Sequence, residues 1–192
     1  MEDAEEWFVA REVQEEGEGL EMTLSEVRMN KWRRPPEGWL KCNIGFSWNQ
    51  KEKFGGGSWV LRDFKGLVVL HSRKTFGVYE TEADFKLAVL IWGIESIISH
   101  RKEKVIFSAQ QVDLIEALLR PKVWPNFSYQ VQTLLHTLSP LLEWRVEAAI
   151  AGSNRGAFLI AQSVTMEFMI HSYVAAGYPL WLRDLFMLKQ SD

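Results

Sequence analysis

Cysteine is nearly absent from this chain: Cys42 is the one thiol in 192 residues. A lone thiol closes no internal disulfide and makes no multi-cysteine zinc site, which fits a reducing compartment. Long apolar runs are absent as well, none approaching the roughly 20 residues that span a bilayer. The first residues, Met1-Glu2-Asp3-Ala4-Glu5-Glu6, are acidic and lack the basic and apolar blocks of a secretory or transit signal. These absences set the expectation of a soluble intracellular protein, cytoplasmic or nuclear, with no membrane association and no secretion. The four histidines, His71, His100, His136 and His171, are dispersed and show no metal-ligand spacing. No repeat or low-complexity tract appears. Base is scarce at one end of the chain: residues 1–27 hold ten acids against one base, Arg11, a net of −9. The remaining 15 acids and 21 bases give residues 28–192 a net of +6. A modestly basic body is compatible with a phosphate-backbone partner and equally with scattered solvated charge.

What is present is a globular composition, 47% apolar with nine Trp. Residues 1–36 read as an acidic extension ending in Lys31-Trp32-Arg33-Arg34-Pro35-Pro36, where the two prolines stiffen the chain and mark a boundary. Within it, Trp7, Phe8, Val9 and Val13 are the residues able to dock on the body or on a partner. From Leu40 to Trp48 the chain alternates, with Leu40, Cys42, Ile44, Phe46 and Trp48 on one face and Lys41, Asn43, Gly45 and Ser47 on the other. Two more strands follow across short Gly-containing connections, which implies an antiparallel meander. The triple glycine Gly55-Gly56-Gly57 lacks the helix and Lys-Ser/Thr of a P-loop and reads as the flexible approach to a hairpin. Thr81 caps a helix to about Ser99, with Asp84 at its third position. A buried strand at 104–108, two helices around Pro121 and Pro125, and a fifth strand through Trp144 and Val146 come next. A last helix is capped by Ser153 or Asn154. The tail, residues 171–192, puts Leu182, Leu185 and Phe186 on one helical face and is expected to dock on the domain at 37–170. The order predicts an α/β fold: a five-stranded mixed sheet, three antiparallel strands then two parallel crossovers, with helices on both faces.

The run Gly38-Trp39-Leu40-Lys41-Cys42-Asn43-Ile44-Gly45-Phe46-Ser47-Trp48, with the two strands after it, resembles the opening of plant ribonuclease H-like domains of the retroelement-derived, reverse-transcriptase-like type. Similar too are Trp32-Arg33-Arg34-Pro35-Pro36, Ile91-Trp92-Gly93-Ile94-Glu95-Ser96, Arg120-Pro121-Lys122-Val123-Trp124-Pro125 and Ser172-Tyr173-Val174-Ala175-Ala176-Gly177. The order and spacing of these motifs make the resemblance specific, where each alone is weak. It implies the ribonuclease H-like fold. It also implies a family activity, cleavage of the RNA strand of an RNA–DNA hybrid by two Mg²⁺ ions held on acidic side chains.

Carried over residue by residue, the resemblance puts the strand-one Asp at Gly45, the Glu of the central helix at Lys86 and the Asp after the fourth strand at Gln110. The Asp of the last helix falls at Phe158, and the histidine after the fifth strand at Ala148. Every one of these positions departs from the family's chemistry, so the expectation is no catalytic residue, no metal site, no Mg²⁺ cofactor and no enzyme. Asp84 lies two residues from Lys86, roughly 200° around a helix, and so points elsewhere. An ammonium at Lys86 opposes a divalent cation by roughly 4 kcal/mol per unit-charge pair at about 4 Å. The leading expectation is a catalytically inactive module that binds an RNA–DNA hybrid or RNA through a metal-free basic cleft of Lys41, Lys51, Lys53, Lys86 and Arg155. The alternative is a protein-interaction or structural module using residues 1–36 or 178–192. Ranked last is an active hybrid ribonuclease with a site rearranged around Asp84 or Asp113.

Overall fold

The structure is a computed structural model that describes residues 32–188. The acidic stretch with Trp7 and Phe8, and the final four residues, lie outside the described residues. Six strands form one mixed sheet: β1 (Leu40–Asn49), β2 (Phe54–Arg62), β3 (Val68–Phe76), β4 (Lys104–Ala109), β5 (Glu143–Ala148) and β6 (Tyr173–Ala176). Their order is β5-β4-β1-β2-β3-β6. The first three strands are antiparallel, while β4 joins β1 and β5 joins β4 in parallel. The expectation of five strands is therefore corrected to six. The extra strand, β6, lies in the segment read from sequence as a tail and pairs antiparallel with β3. At four residues it is too short to show an alternation that periodicity can detect.

Local chemistry explains the turns of the meander. After β1 the Asn49 side-chain oxygen accepts the backbone N–H groups of Lys51 (3.1 Å) and Glu52 (3.0 Å). After β2, Asp63 accepts those of Lys65 and Leu67, both at 2.9 Å, and Gly66 takes the positive φ of +86° that the turn needs.

Five helices complete the described fold: α1 (Glu82–Ser99), α2 (Val112–Leu119), α3 (Ser128–Leu138), α4 (Ala151–Met166) and α5 (Arg183–Leu188). Helix α1 begins as the sequence predicts, with the Thr81 hydroxyl accepting the Asp84 N–H at 3.1 Å. Its buried Phe85, Val89, Leu90, Ile94 and Ile97 join Cys42, Ile44, Trp59, Val105 and Phe107 of the sheet. Val131, Leu134 and Leu138 of α3 and Leu114, Ala117 and Leu118 of α2 extend the same core. Full burial of each large apolar side chain here contributes about 1.5–3 kcal/mol relative to exposure.

Helix α4 covers the opposite face and starts differently from expectation. Its N-cap is Ile150, which makes no side-chain cap, and Ser153 and Asn154 lie inside the first turn. Asn154 is buried and spends its amide across the layers instead, donating to the Ile44 carbonyl at 2.8 Å and accepting from Asn43 at 3.1 Å. Beside α4, the short helix α5 buries Phe186, and the 3₁₀ turn before it buries Leu182, against Val60, Val68, Ala157 and Ile160.

Candidate functional site

The parallel register brings the five positions assigned by resemblance to one end of the sheet. Ile44 on β1 is paired with Ala109 on β4, and Ala109 with Ala148 on β5. Gly45 and Gln110 are the next residues along their chains, so Gly45, Gln110 and Ala148 share that end. Lys86, in the second turn of α1, holds its Nζ 4.9 Å from the Phe46 ring. Phe158 stands on α4, whose backbone meets Gly45.

The last contact is closer than any side chain allows. An ideal Cβ built on Gly45 would lie 2.3 Å from the Ala157 carbonyl carbon, 2.4 Å from its oxygen and 2.6 Å from the Phe158 nitrogen. All three are helix backbone atoms, so no side-chain rotamer relieves the overlap. Gly56 is in the same situation on β2, with a Cβ position 2.1 Å from the Ala161 oxygen. The triple glycine is accordingly not a flexible approach: it lies within β2, in register with β1. Glycine at 45 and 56 is what lets α4 sit this close to the sheet. Beside these contacts, the Ser58 hydroxyl donates to the Ala157 carbonyl and Ser47 shares a 2.7 Å hydrogen bond with Thr165.

A cleft of about 570 Å³ opens beside these positions between the first turn of α1 and the start of α2. Lys86, Gln110, Asp84, Glu82 and Asp113 all line it. Asp84 and Lys86 thus both line the cleft although they stand two residues apart on α1. The Asp84 carboxylate is engaged by the Thr81 hydroxyl at 2.6 Å. Lys86 is paired with Glu82 at 2.7 Å, one helical turn away. Among the described residues, no group of three or more His, Cys, Asp or Glu is arranged to hold a metal ion.

The remaining expected binding residues are dispersed around this end and beyond it. Lys53, in the β1–β2 turn at φ +49°, pairs with Glu80 at 3.1 Å. Lys51 is almost fully solvated and 4.0 Å from Glu52. Arg155 is exposed in the first turns of α4. Lys41 does not face the cleft: four residues upstream of Gly45, it is buried, ion-paired with Glu147 and donates to the Arg33 carbonyl at 3.3 Å.

Sequence reasoning passed over Arg62 and Trp32. The Arg62 guanidinium lies between the Trp32 ring (4.3 Å) and the Phe186 ring (4.8 Å), and burial pulls its pKa down to about 10. Trp32 also donates its indole N–H to Asn43 at 2.7 Å. An apolar-face pattern gives no hint of an arginine held by two aromatics from far ends of the chain.

No protein-family model matches the chain, and no curated protein matches it in sequence. Solved structures do. Ribonuclease H1 from the halophilic archaeon Halobacterium salinarum NRC-1 superposes with a TM-score of 0.58 at 16% identity, over 68% of this chain and 99% of that one. LC9-RNase H1, a type 1 enzyme with the type 2 active-site motif, gives 0.58 at 16% identity, over 81% and 86%. LC11-RNase H1, solved in complex with an RNA/DNA hybrid, gives 0.55 at 13% identity, over 65% and 94%. At these identities the likeness establishes the fold: this chain has a ribonuclease H-like α/β fold.

Proposed function

We propose that the chain is a ribonuclease H-like module that does not hydrolyse nucleic acid and retains a nucleic-acid-binding role. One observation carries the first half: the backbone of α4 occupies the space that a side chain at position 45 would need. A two-metal site asks for several hard oxygen ligands converging on the same ions. The residues here do not fit that request. Position 45 offers no side chain, position 86 an ammonium already paired with Glu82, position 110 a neutral amide and position 158 a phenyl ring. The carboxylates of the cleft, Glu82, Asp84 and Asp113, come with no partner acid on β1 or α4 to complete such a set. The plant, retroelement-derived type of the resemblance belongs to the same proposal and rests on the order and spacing of the sequence motifs from Trp32 to Gly177.

Nucleic-acid binding is supported by the fold, since LC11-RNase H1 of the same architecture was solved with an RNA/DNA hybrid. The phosphate contacts fall to Lys51, Lys53 and Arg155 at the end of the sheet, with Lys41 serving the interior. The test is binding of a labelled RNA–DNA hybrid across a salt series in EDTA, with duplex DNA and single strands as comparators. Hybrid preference with affinity falling linearly in log salt supports the reading, and the slope counts the phosphates contacted. Absence of binding at low salt overturns it. Mg²⁺- or Mn²⁺-dependent cleavage that Asp84→Ala or Asp113→Ala abolishes would overturn the inactive half.

A second reading, a protein-interaction module, is favoured by a specific observation. The cleft lysine is neutralised by Glu82, and Asp84 and Asp113 stand beside it, so the cleft itself repels phosphate.

A further inference from the structure

We propose that β6 is a self-association edge through which two copies of this chain pair antiparallel, joining their sheets into one. This interface is independent of any nucleic-acid site, which lies around β1, β4 and α1.

The sheet has two edges, and they are built differently. On β5 the charged residues Glu143, Arg145 and Glu147 recur along the strand, the usual protection of an exposed edge against pairing with another chain. On β6 there is none. From Phe168 to Leu182 the chain carries no Asp, Glu, Lys or Arg, and β6 lies inside this stretch. Among the described residues no strand lies beyond it.

The register fixes which backbone groups are available. The Gly177 N–H donates to the Val69 carbonyl at 3.1 Å, so Gly177 and, by alternation, Ala175 and Tyr173 direct their groups toward β3. Val174 and Ala176 therefore direct their N–H and C=O groups outward. Val174 is 48% exposed, lying on the face of the sheet that α1 covers elsewhere but outside its core. Ahead of the strand, Met166 (52%) ends α4, and Phe168 (70%) and Ile170 (57%) follow beyond the exposed Glu167, all three exposed.

The charge pattern selects the occupant. In a two-fold antiparallel pair residue i of one copy faces residue j of the other, and on a strand of four residues any charge would still lie close to its symmetry mate. A segment with no charge meets no such penalty, whereas it offers nothing to complement a charged partner peptide. The outward groups of Val174 and Ala176 supply the central hydrogen bonds of the pair, and the Met166, Phe168 and Ile170 side chains supply apolar area toward the approximately 800 Å² per partner of a standard interface.

Sedimentation of the full chain over about 1–100 µM tests this, the range in which modest interfaces associate. The expected result is a concentration-dependent shift from monomer to dimer mass. Val174→Pro removes an outward N–H without touching a bond to β3, and Val174→Lys adds a gatekeeping charge; each should weaken the dimer about tenfold or more. Val174→Thr, β-branched and uncharged, should leave it within about twofold of the parent. Thermal unfolding of the Lys variant, whose side chain is solvent-facing, verifies that the monomer still folds. A parent chain that stays monomeric throughout overturns the proposal and leaves the edge to a strand of some other protein. A dimer unchanged by both Val174→Pro and Val174→Lys overturns it as well.

Discussion

Helices α1 and α4 approach the same sheet from opposite sides, and they are held by different means. On the α1 side Phe85, Val89, Ile94 and Ile97 bury their surface against Cys42, Ile44, Trp59 and Phe107, an arrangement of hydrocarbon that sums many non-directional contacts. On the α4 side the apolar cluster is small, and the contact is made by backbone against backbone at Gly45 and Gly56, locked by Asn43, Asn154, Ser47, Ser58 and Thr165. The first kind of contact tolerates a change of shape if volume is kept. The second depends on hydrogen-bond geometry and on the absence of two side chains. The difference bears on the proposed function because two of the positions assigned by resemblance, Gly45 and Phe158, meet at the second kind of contact, while Lys86 and Gln110 line the cleft beside α1.

Gly45→Asp breaks this comparison most severely. It drives a Cβ into the α4 backbone and leaves a carboxylate among buried groups, so a loss of about 3 kcal/mol or more is expected in denaturant unfolding. On the proposed function it restores no Mg²⁺-dependent cleavage of a hybrid. Recovery of activity in a stably folded Gly45→Asp protein would show that α4 can retreat.

Asn154→Ala should come next. It takes the Asn154 donor from the Ile44 carbonyl and the acceptor from the Asn43 side-chain N–H in a closed layer, a cost of about 2–3 kcal/mol. Ile94→Val on the α1 side, a loss of one methylene in hydrocarbon, should cost about 1 kcal/mol. Urea midpoints for the two variants measure the contrast directly. Equal losses would mean that the two faces are not held differently after all.

The smallest effect is a pH dependence on the α4 side. Burial holds the His71 pKa below its ordinary value despite the 2.7 Å contact of its Nδ1 with the Gly177 carbonyl, and the Arg73 charge lowers it further. The unfolded chain then binds the proton more readily than the folded one, so this contribution is intact above the ordinary imidazole value of about 6.5 and is lost as pH falls below it. Melting temperature should decline more between pH 7.5 and 5.5 for the parent than for His71→Gln. Parallel pH profiles would remove His71 from the account.

Much of the α1 side was legible in the sequence because hydrophobic periodicity is what builds it. The alternation from Leu40 to Trp48 gave β1, the apolar run after Thr81 gave α1, and the Thr81–Asp84 cap fell where expected. The α4 side was less legible, since its contacts are made by polar and small residues whose pattern names no partner. Asn154 looked like a cap and is a cross-layer tie. Lys41 looked like a cleft base and is an internal ion pair with Glu147. Gly55-Gly56-Gly57 looked like slack and is strand. Strand β6 was missed because four residues carry no period, and Arg62 because two aromatics 154 positions apart, Trp32 and Phe186, close around it only in the folded chain.

Cys42 lies near the start of β1, an interior strand of the sheet, with no exposed surface, and burial pushes its thiol far above the usual range. Being the only sulfhydryl in the protein, it is a natural stopwatch. A disulfide reagent such as DTNB can react only in the moments when the sheet parts, so its rate, followed in the unmodified protein, reports how often the interior opens. Adding a hybrid or raising the concentration into the dimer range should slow that clock only if either event clamps the sheet, which makes one buried sulfur a reporter for both proposals.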